Sequence, residues 1–173
     1  MDKKIQTIGK LGTENFYAYL DEVRRDNGRL TKRICLNHPQ ASAIIPFVSD
    51  NKILMVKQYR YALKREMLEI PAGKIDNGED PEQCIKRELI EETGFDAKHV
   101  KWLYTYAPAV GYSNEFIHVF EGRGLQQTEK GYNKDEISSV EILPVEKALE
   151  MIKNHEILDG KTIIALALIM PLI

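Results

Sequence analysis

A layered sandwich of the α/β or α+β kind is the fold class this sequence predicts, and three observations predict it. Two β-rich runs, ASAIIPFV (41–48) and KILMVKQYR (52–60), flank a turn signal at Ser49-Asp50-Asn51. A well-punctuated helix follows over 81–93, and two more helical segments, about 144–154 and 160–170, come late in the chain. Strands mixed with a few helices pack as layers.

Residues 16–36 (FYAYLDEVRRDNGRLTKRICL) read as two strands around Asp26-Asn27-Gly28, residues that tolerate the positive φ of a tight hairpin. Residues 1–40 are therefore expected to form an N-terminal β-hairpin arm, and 41–173 the main domain. MLEI (67–70) makes a short strand that Pro71-Ala72-Gly73 ends. At Asp80 the period changes: Asp80 can cap, Pro81 suits the first helical position, and Gln83 stands where a capping-box partner would. Gly94 supplies the stop. Cys84, Ile85, Leu89 and Ile90 form the apolar side of that helix. Beyond it, 100–107 and 115–121 read as strands, 122–134 as a polar loop and 137–142 as a strand. The apolar run Ile163–Ile173, interrupted only by Pro171, is too short to span a membrane and reads as a core or subunit-contact helix.

Composition bounds the function. With 173 residues, 24 basic against 26 acidic side chains and a net charge of −2, the chain has no basic excess for nucleic acid or anionic membranes. Cys35 and Cys84 form no CxxC pair, and MDKKIQTIGK lacks the apolar core of a signal peptide, so a reduced cytoplasmic setting is expected. No Ser/His/Asp or Cys/His pattern stands out, and none of His38, His99, His118 and His155 has metal-ligand spacing.

The chemistry is concentrated in the 81–93 helix. Glu88, Glu91 and Glu92 stand at i, i+3 and i+4, on one side of the helix. Like charges so placed repel, and oxygen-only ligands on a rigid element suit Mg²⁺ or Mn²⁺. A lone ExxEE is more often a solvated acidic face. Here it sits within GKIDNGEDPEQCIKRELIEETGF, where Gly73, Glu79, Arg87, Glu88, Leu89, Glu91, Glu92, Gly94 and Phe95 fall at fixed spacings. Average residue usage puts an accidental match on the order of 10⁻⁷.

This segment resembles the signature box of the Nudix hydrolases at every defining position. The resemblance extends over roughly residues 16–170, through LTKRICLNHPQASAIIPF, MVKQYR, LEIPAGK and HEILDGKT, to the ADP-ribose pyrophosphatase branch. It implies an α/β/α sandwich with a mixed sheet preceded by a β arm, and a homodimer whose arms exchange. It also implies metal-dependent hydrolysis of a nucleoside diphosphate compound, with Mg²⁺ (or Mn²⁺) on Glu88, Glu91, Glu92 and the carbonyl of Ala72, and with Arg87 orienting the carboxylates. The base would come from the loop before the last strand: Glu136 first, Asp135 second, Glu129 third, the alternative for all three being solvated loop charge. Arg33 and Arg60 match basic residues that contact the diphosphate, Arg33 reaching into the partner's site; surface ion pairs are their other reading. Phe16, Tyr17 and Tyr19 are candidates to stack on the base, or to pack in a core.

One departure bears on substrate. Where that branch places a proline about sixteen residues after the box's last glycine, this chain has Val110, and Pro108 comes two residues early; Gly111 and Glu115 keep their places in the loop. ADP-ribose cleavage to AMP and ribose 5-phosphate is thus expected with a relaxed choice of sugar. The rival readings are hydrolysis of GDP-mannose, NADH or a diadenosine polyphosphate, and a non-catalytic nucleotide-binding module.

Overall fold

A computed structural model describes residues 1–170, which divide into two compact units. The first comprises Met1–Gln40 with Tyr106–Phe116. Its sheet has three antiparallel strands in sequence order: β1 (Lys3–Gly12), β2 (Tyr17–Arg24) and β3 (Leu30–Asn37). β2 and β3 form the expected hairpin, in register from Tyr17 opposite Asn37 to Arg24 opposite Leu30, and Gly28 turns it at φ +78. β1 adds a strand that the sequence reading did not assign, so the hairpin is part of a three-stranded sheet. Every residue of β1 is exposed, so no buried alternation marks it in the sequence. The 106–116 segment is tied to the end of β3: Leu36 N–H donates to the Tyr112 carbonyl at 2.6 Å, and His38 N–H to Asn114 Oδ1 at 2.8 Å.

The second unit holds a seven-stranded sheet with path β10-β5-β4-β9-β8. Its strands are β4 (Ala41–Ser49), β5 (Lys52–Arg60), β6 (Arg65–Glu69), β7 (Ala72–Lys74), β8 (Phe95–Tyr106), β9 (Ile117–Gln127) and β10 (Ile137–Pro144). β6 pairs with β5 and β7 with β4, both antiparallel, while β4 and β9 run parallel, so the sheet is mixed. β4 is central and buried over seven consecutive residues, as a doubly covered strand requires. Two boundaries differ from the sequence reading. β8 begins at Phe95 and not at 100, and β9 runs to Gln127, taking half of the expected loop. Gly122 had suggested a loop, but it lies within β9 because a Cβ there would approach Ile44 Cδ1 to 2.7 Å.

α1 (Pro81–Thr93) has the anticipated punctuation: Asp80 accepts from the N–H groups of Glu82 and Gln83, Gln83 returns the bond to Asp80 N–H, and Gly94 closes the helix at φ +77. Its apolar side enters the core, where Ile85 and Leu89 are fully buried with Ile44, Ala97 and Phe120. Each such aliphatic side chain contributes roughly 1.5–3 kcal/mol. α2 (Val145–Lys153) packs on β10, and α3 (Gly160–Ile169), capped by Asp159, packs on β4 and β9. The expected run to residue 173 continues past α3 into 171–173, which lie outside the described residues. No described helix is long and apolar enough to cross a membrane.

Candidate active site

α1 meets β7 at the centre of the site. A Cβ on Gly73 would fall 1.9 Å from the Glu88 carboxylate, so only glycine lets this backbone lie against that group. Ala72 N–H donates to Glu92 Oε2 at 3.0 Å. The three glutamates share a side of the helix but not an environment. Glu91 keeps over half of its side-chain surface exposed, Glu88 about a sixth, and Glu92 is buried at 5%.

Arg87 organises the acidic side. Its Nε and Nη2 each reach a Glu79 carboxylate oxygen at 2.9 Å, a two-point pairing, and its Nη1 reaches Glu88 at 2.7 Å and Glu91 at 3.2 Å. Nη2 also donates to the Lys74 carbonyl at 3.2 Å, tying the helix to the end of β7. The hydrogen bonds from Arg87 hold the Glu79 carboxyl down at about 2.

Glu88 and Glu92 shift the other way. Burial raises the Glu92 carboxyl to about 8; the Ala72 N–H opposes this, and the neighbouring Glu88 charge adds to it. Burial raises Glu88 as well, against the pull of Arg87. Desolvated carboxylates that repel one another and resist ionisation are the mark of a functional site.

Across from α1 lies the 128–136 loop, joined to the helix end by backbone bonds: Asn133 N–H to the Glu91 carbonyl, and Thr128 N–H to the Gly94 carbonyl, both 2.8 Å. The two enclose a pocket of about 210 Å³ lined by Glu88, Glu91, Glu92, Lys130, Asn133 and Glu136 among others. Gln58 Nε2 donates to Glu136 Oε1 at 3.1 Å and aims that carboxylate. Asp135 and Glu129, the other base candidates, are exposed and do not line this pocket.

The residues present fit a hard divalent ion in donor type: all are oxygens, on a rigid helix, beside a glycine that leaves room. Their side chains do not yet converge. Among the described residues no three His, Cys, Asp or Glu groups are gathered as a cage, because Arg87 draws Glu88 and Glu91 toward itself.

Residues 37–166 match the family model described as the NUDIX domain. The chain belongs to the Nudix family. Among curated relatives, the methanol dehydrogenase activator of Bacillus methanolicus is 41% identical over 84% of this chain and 80% of its own length. The ADP-ribose pyrophosphatase of Bacillus subtilis (strain 168) is 39% identical over 86% and 81%. A GDP-mannose pyrophosphatase of Salmonella arizonae is 33% identical over 91% and 90%. The solved structure of an ADP compounds hydrolase superposes with a TM-score of 0.84 over 97% of this chain and 91% of that one; at 19% identity the likeness shows the fold. With the Nudix box intact, the chain is a Nudix pyrophosphohydrolase.

The sequence-predicted residues of this Nudix protein fall into the two units. Ala72, Arg87, Glu88, Glu91, Glu92, Asp135, Glu136 and Arg60 lie in the second, Arg33, Tyr17 and Glu115 in the first. Arg60 is engaged by Glu69 through Nε at 2.7 Å and Nη2 at 2.5 Å. Arg33 Nη2 pairs with Asp2 at 2.6 Å, Glu115 with His38 at 3.3 Å, and the Tyr17 ring lies 3.5 Å from Lys10 Nζ. Sequence reasoning missed Gln58, Lys130 and Asn133. Gln58 sits in the KQYR segment and was within reach of it, whereas nothing local marks the other two.

Proposed function

We propose that this chain hydrolyses ADP-ribose to AMP and ribose 5-phosphate with Mg²⁺ as its metal, Mn²⁺ serving in its place. The observation that carries the reading is the pocket in which Glu88, Glu91 and Glu92 face Glu136. The 39% identity to the Bacillus subtilis ADP-ribose pyrophosphatase supports the choice of substrate.

In this reading Glu88, Glu91, Glu92 and the Ala72 carbonyl hold the metal, which when bound neutralises diphosphate charge and acidifies a coordinated water. Glu136, aimed by Gln58, takes the proton of the attacking water, with Asp135 as second candidate. Arg87 holds the box carboxylates in place against Glu79. Arg60 grips the diphosphate, Arg33 reaches the diphosphate in the partner's site, Glu115 shapes the sugar end, and Tyr17 on the arm stacks on the base. Residues 1–40 form the dimer arm of a cytoplasmic homodimer. Val110, in place of a proline, relaxes the choice of sugar.

The test is kcat/KM for ADP-ribose, ADP-glucose, GDP-mannose, NADH and diadenosine compounds, each with Mg²⁺ and with Mn²⁺. ADP-ribose is expected within about tenfold of the best; a rank more than about a hundredfold below it overturns the substrate while leaving the Nudix chemistry standing. A second reading follows from the 41% identity to the methanol dehydrogenase activator, namely that the chain activates such a dehydrogenase. Dehydrogenase rate with and without the chain, and with its Glu92→Gln variant, decides it; no increase with the wild-type chain removes this reading.

A further inference from the structure

Glu69 ends β6 and is 2% exposed, yet it carries a carboxylate shared by two cations. Arg60, from β5, binds it through Nε and Nη2, and Lys161, from the first turn of α3, pairs with it from the other side. Lys161 also pairs with Asp159 at 3.1 Å, so two cations meet two anions and the cluster is neutral. Despite burial, which pushes the other way, the bonds from Arg60 and Lys161 keep Glu69 on the ionised side.

The geometry at Arg60 is asymmetric. The edge of its guanidinium that carries Nε is consumed by Glu69, while the side chain keeps 40% of its surface exposed, and among the described residues Nη1 has no hydrogen bond. A planar fork pinned along one edge presents the remaining N–H groups in a fixed direction, the arrangement that binds a phosphate oxygen pair with little loss of side-chain freedom.

We propose that Glu69 is a positioning residue: pinning Arg60 from beneath, it presents the free edge of the guanidinium to the substrate's diphosphate, and so governs substrate affinity without touching substrate. Lys161 supplies the second charge that lets a carboxylate stay ionised in this buried place. The inference rests on the reading of Arg60 as a diphosphate contact.

The experiment is a double-mutant cycle on the full chain with Glu69→Gln, Arg60→Ala and their combination. It reads Kd for inorganic pyrophosphate by calorimetry, KM and kcat for ADP-ribose, and Tm. Glu69→Gln is expected to weaken pyrophosphate and raise KM by about tenfold with kcat within about threefold, and to add nothing once Arg60 is alanine. Unchanged pyrophosphate affinity in Glu69→Gln, or losses that multiply in the double variant, overturns the proposal. An Arg60→Ala chain that binds pyrophosphate normally overturns the reading of Arg60, and this proposal with it. If ADP-ribose is not turned over, the substrate assignment fails while the pyrophosphate cycle still decides the role of Glu69. Should Glu69→Gln not fold, Glu69→Gln with Lys161→Met removes one charge of each sign. It is expected to show the same loss, again absent on the Arg60→Ala background, and normal pyrophosphate binding in it overturns the proposal.

Discussion

Raising the pH of the metal-free protein should destabilise it, and Glu92 is the reason. Its carboxyl is lifted from an ordinary 4.5 to about 8, so between those values the folded chain keeps a proton that the unfolded chain has released. Stability falls with pH wherever the folded state binds the extra proton, so the contribution is full below 4.5 and is lost as pH rises toward 8. Between pH 6 and 8 this amounts to about 2 kcal/mol, or roughly 5 °C in Tm for a chain of this size. Glu88, raised for the same cause, adds in the same sense. Mg²⁺ competes with those protons, so the stabilisation it gives should grow over the same range. Differential scanning calorimetry in chelator and in Mg²⁺, for wild type and Glu92→Gln, measures both. The variant cannot ionise at 92, so its metal-free Tm should decline less. A wild-type slope that is flat, or equal to the variant's, refutes the assignment of the buried proton to Glu92.

Glu88→Gln and Glu92→Gln should each lower turnover by at least about a hundredfold in saturating Mg²⁺ while circular dichroism stays native, and a fall under about tenfold would show that the metal is held elsewhere. Gly73→Ala places a methyl group 1.9 Å from the Glu88 carboxylate, so that side chain must be displaced; turnover is expected to drop about a hundredfold, and kcat near wild type would mean that Glu88 does not need its place against β7. Gly94→Ala forces an L side chain to φ +77 and a Cβ within 2.9 Å of the Lys130 carbonyl; chemical denaturation should report a loss of about 1–3 kcal/mol, and no loss would mean that the 128–136 loop moves freely from the helix end. Sedimentation at micromolar concentration should give a dimer, and a monomer would remove any role for Arg33 across subunits.

How far the sequence was legible follows from where each interaction lies along the chain. α1 was readable to the residue, because Asp80, Pro81 and Gln83 act within four positions of one another at its start, Gly94 closes on Ile90 four positions back at its end, and the carboxylate spacing is a property of the helix alone. The three environments of Glu88, Glu91 and Glu92 were not readable, since they depend on β7 and on a loop some forty residues on. β1 escaped because an exposed edge strand needs no apolar alternation, and the start of β8 because half of FDAKHV is polar and it follows directly on the Gly94 helix stop. Arg60 was recognised as a basic residue of interest, but its partner Glu69 was passed over as part of a strand, although it is the more buried of the two. Nothing in MLEI says that a lysine 92 residues later will meet that glutamate.

That separation has a bearing on how the protein comes to be. β6, and the Ile70-Pro71-Ala72 stretch that leads into the site, are held from one side by α3: Lys161 on Glu69, and the Thr162 hydroxyl accepting from Ile70 N–H at 2.9 Å. On a ribosome emitting the chain from its N-terminus, every box residue is out and α1 can already form while this brace does not yet exist. Contacts of such long range are closed late, after the local ones have formed. The backbone that Glu92 leans on is paired with β4 beforehand but receives its second fastening only when α3 docks, so a nascent chain carrying the whole signature has a helix of glutamates over a floor held from one side.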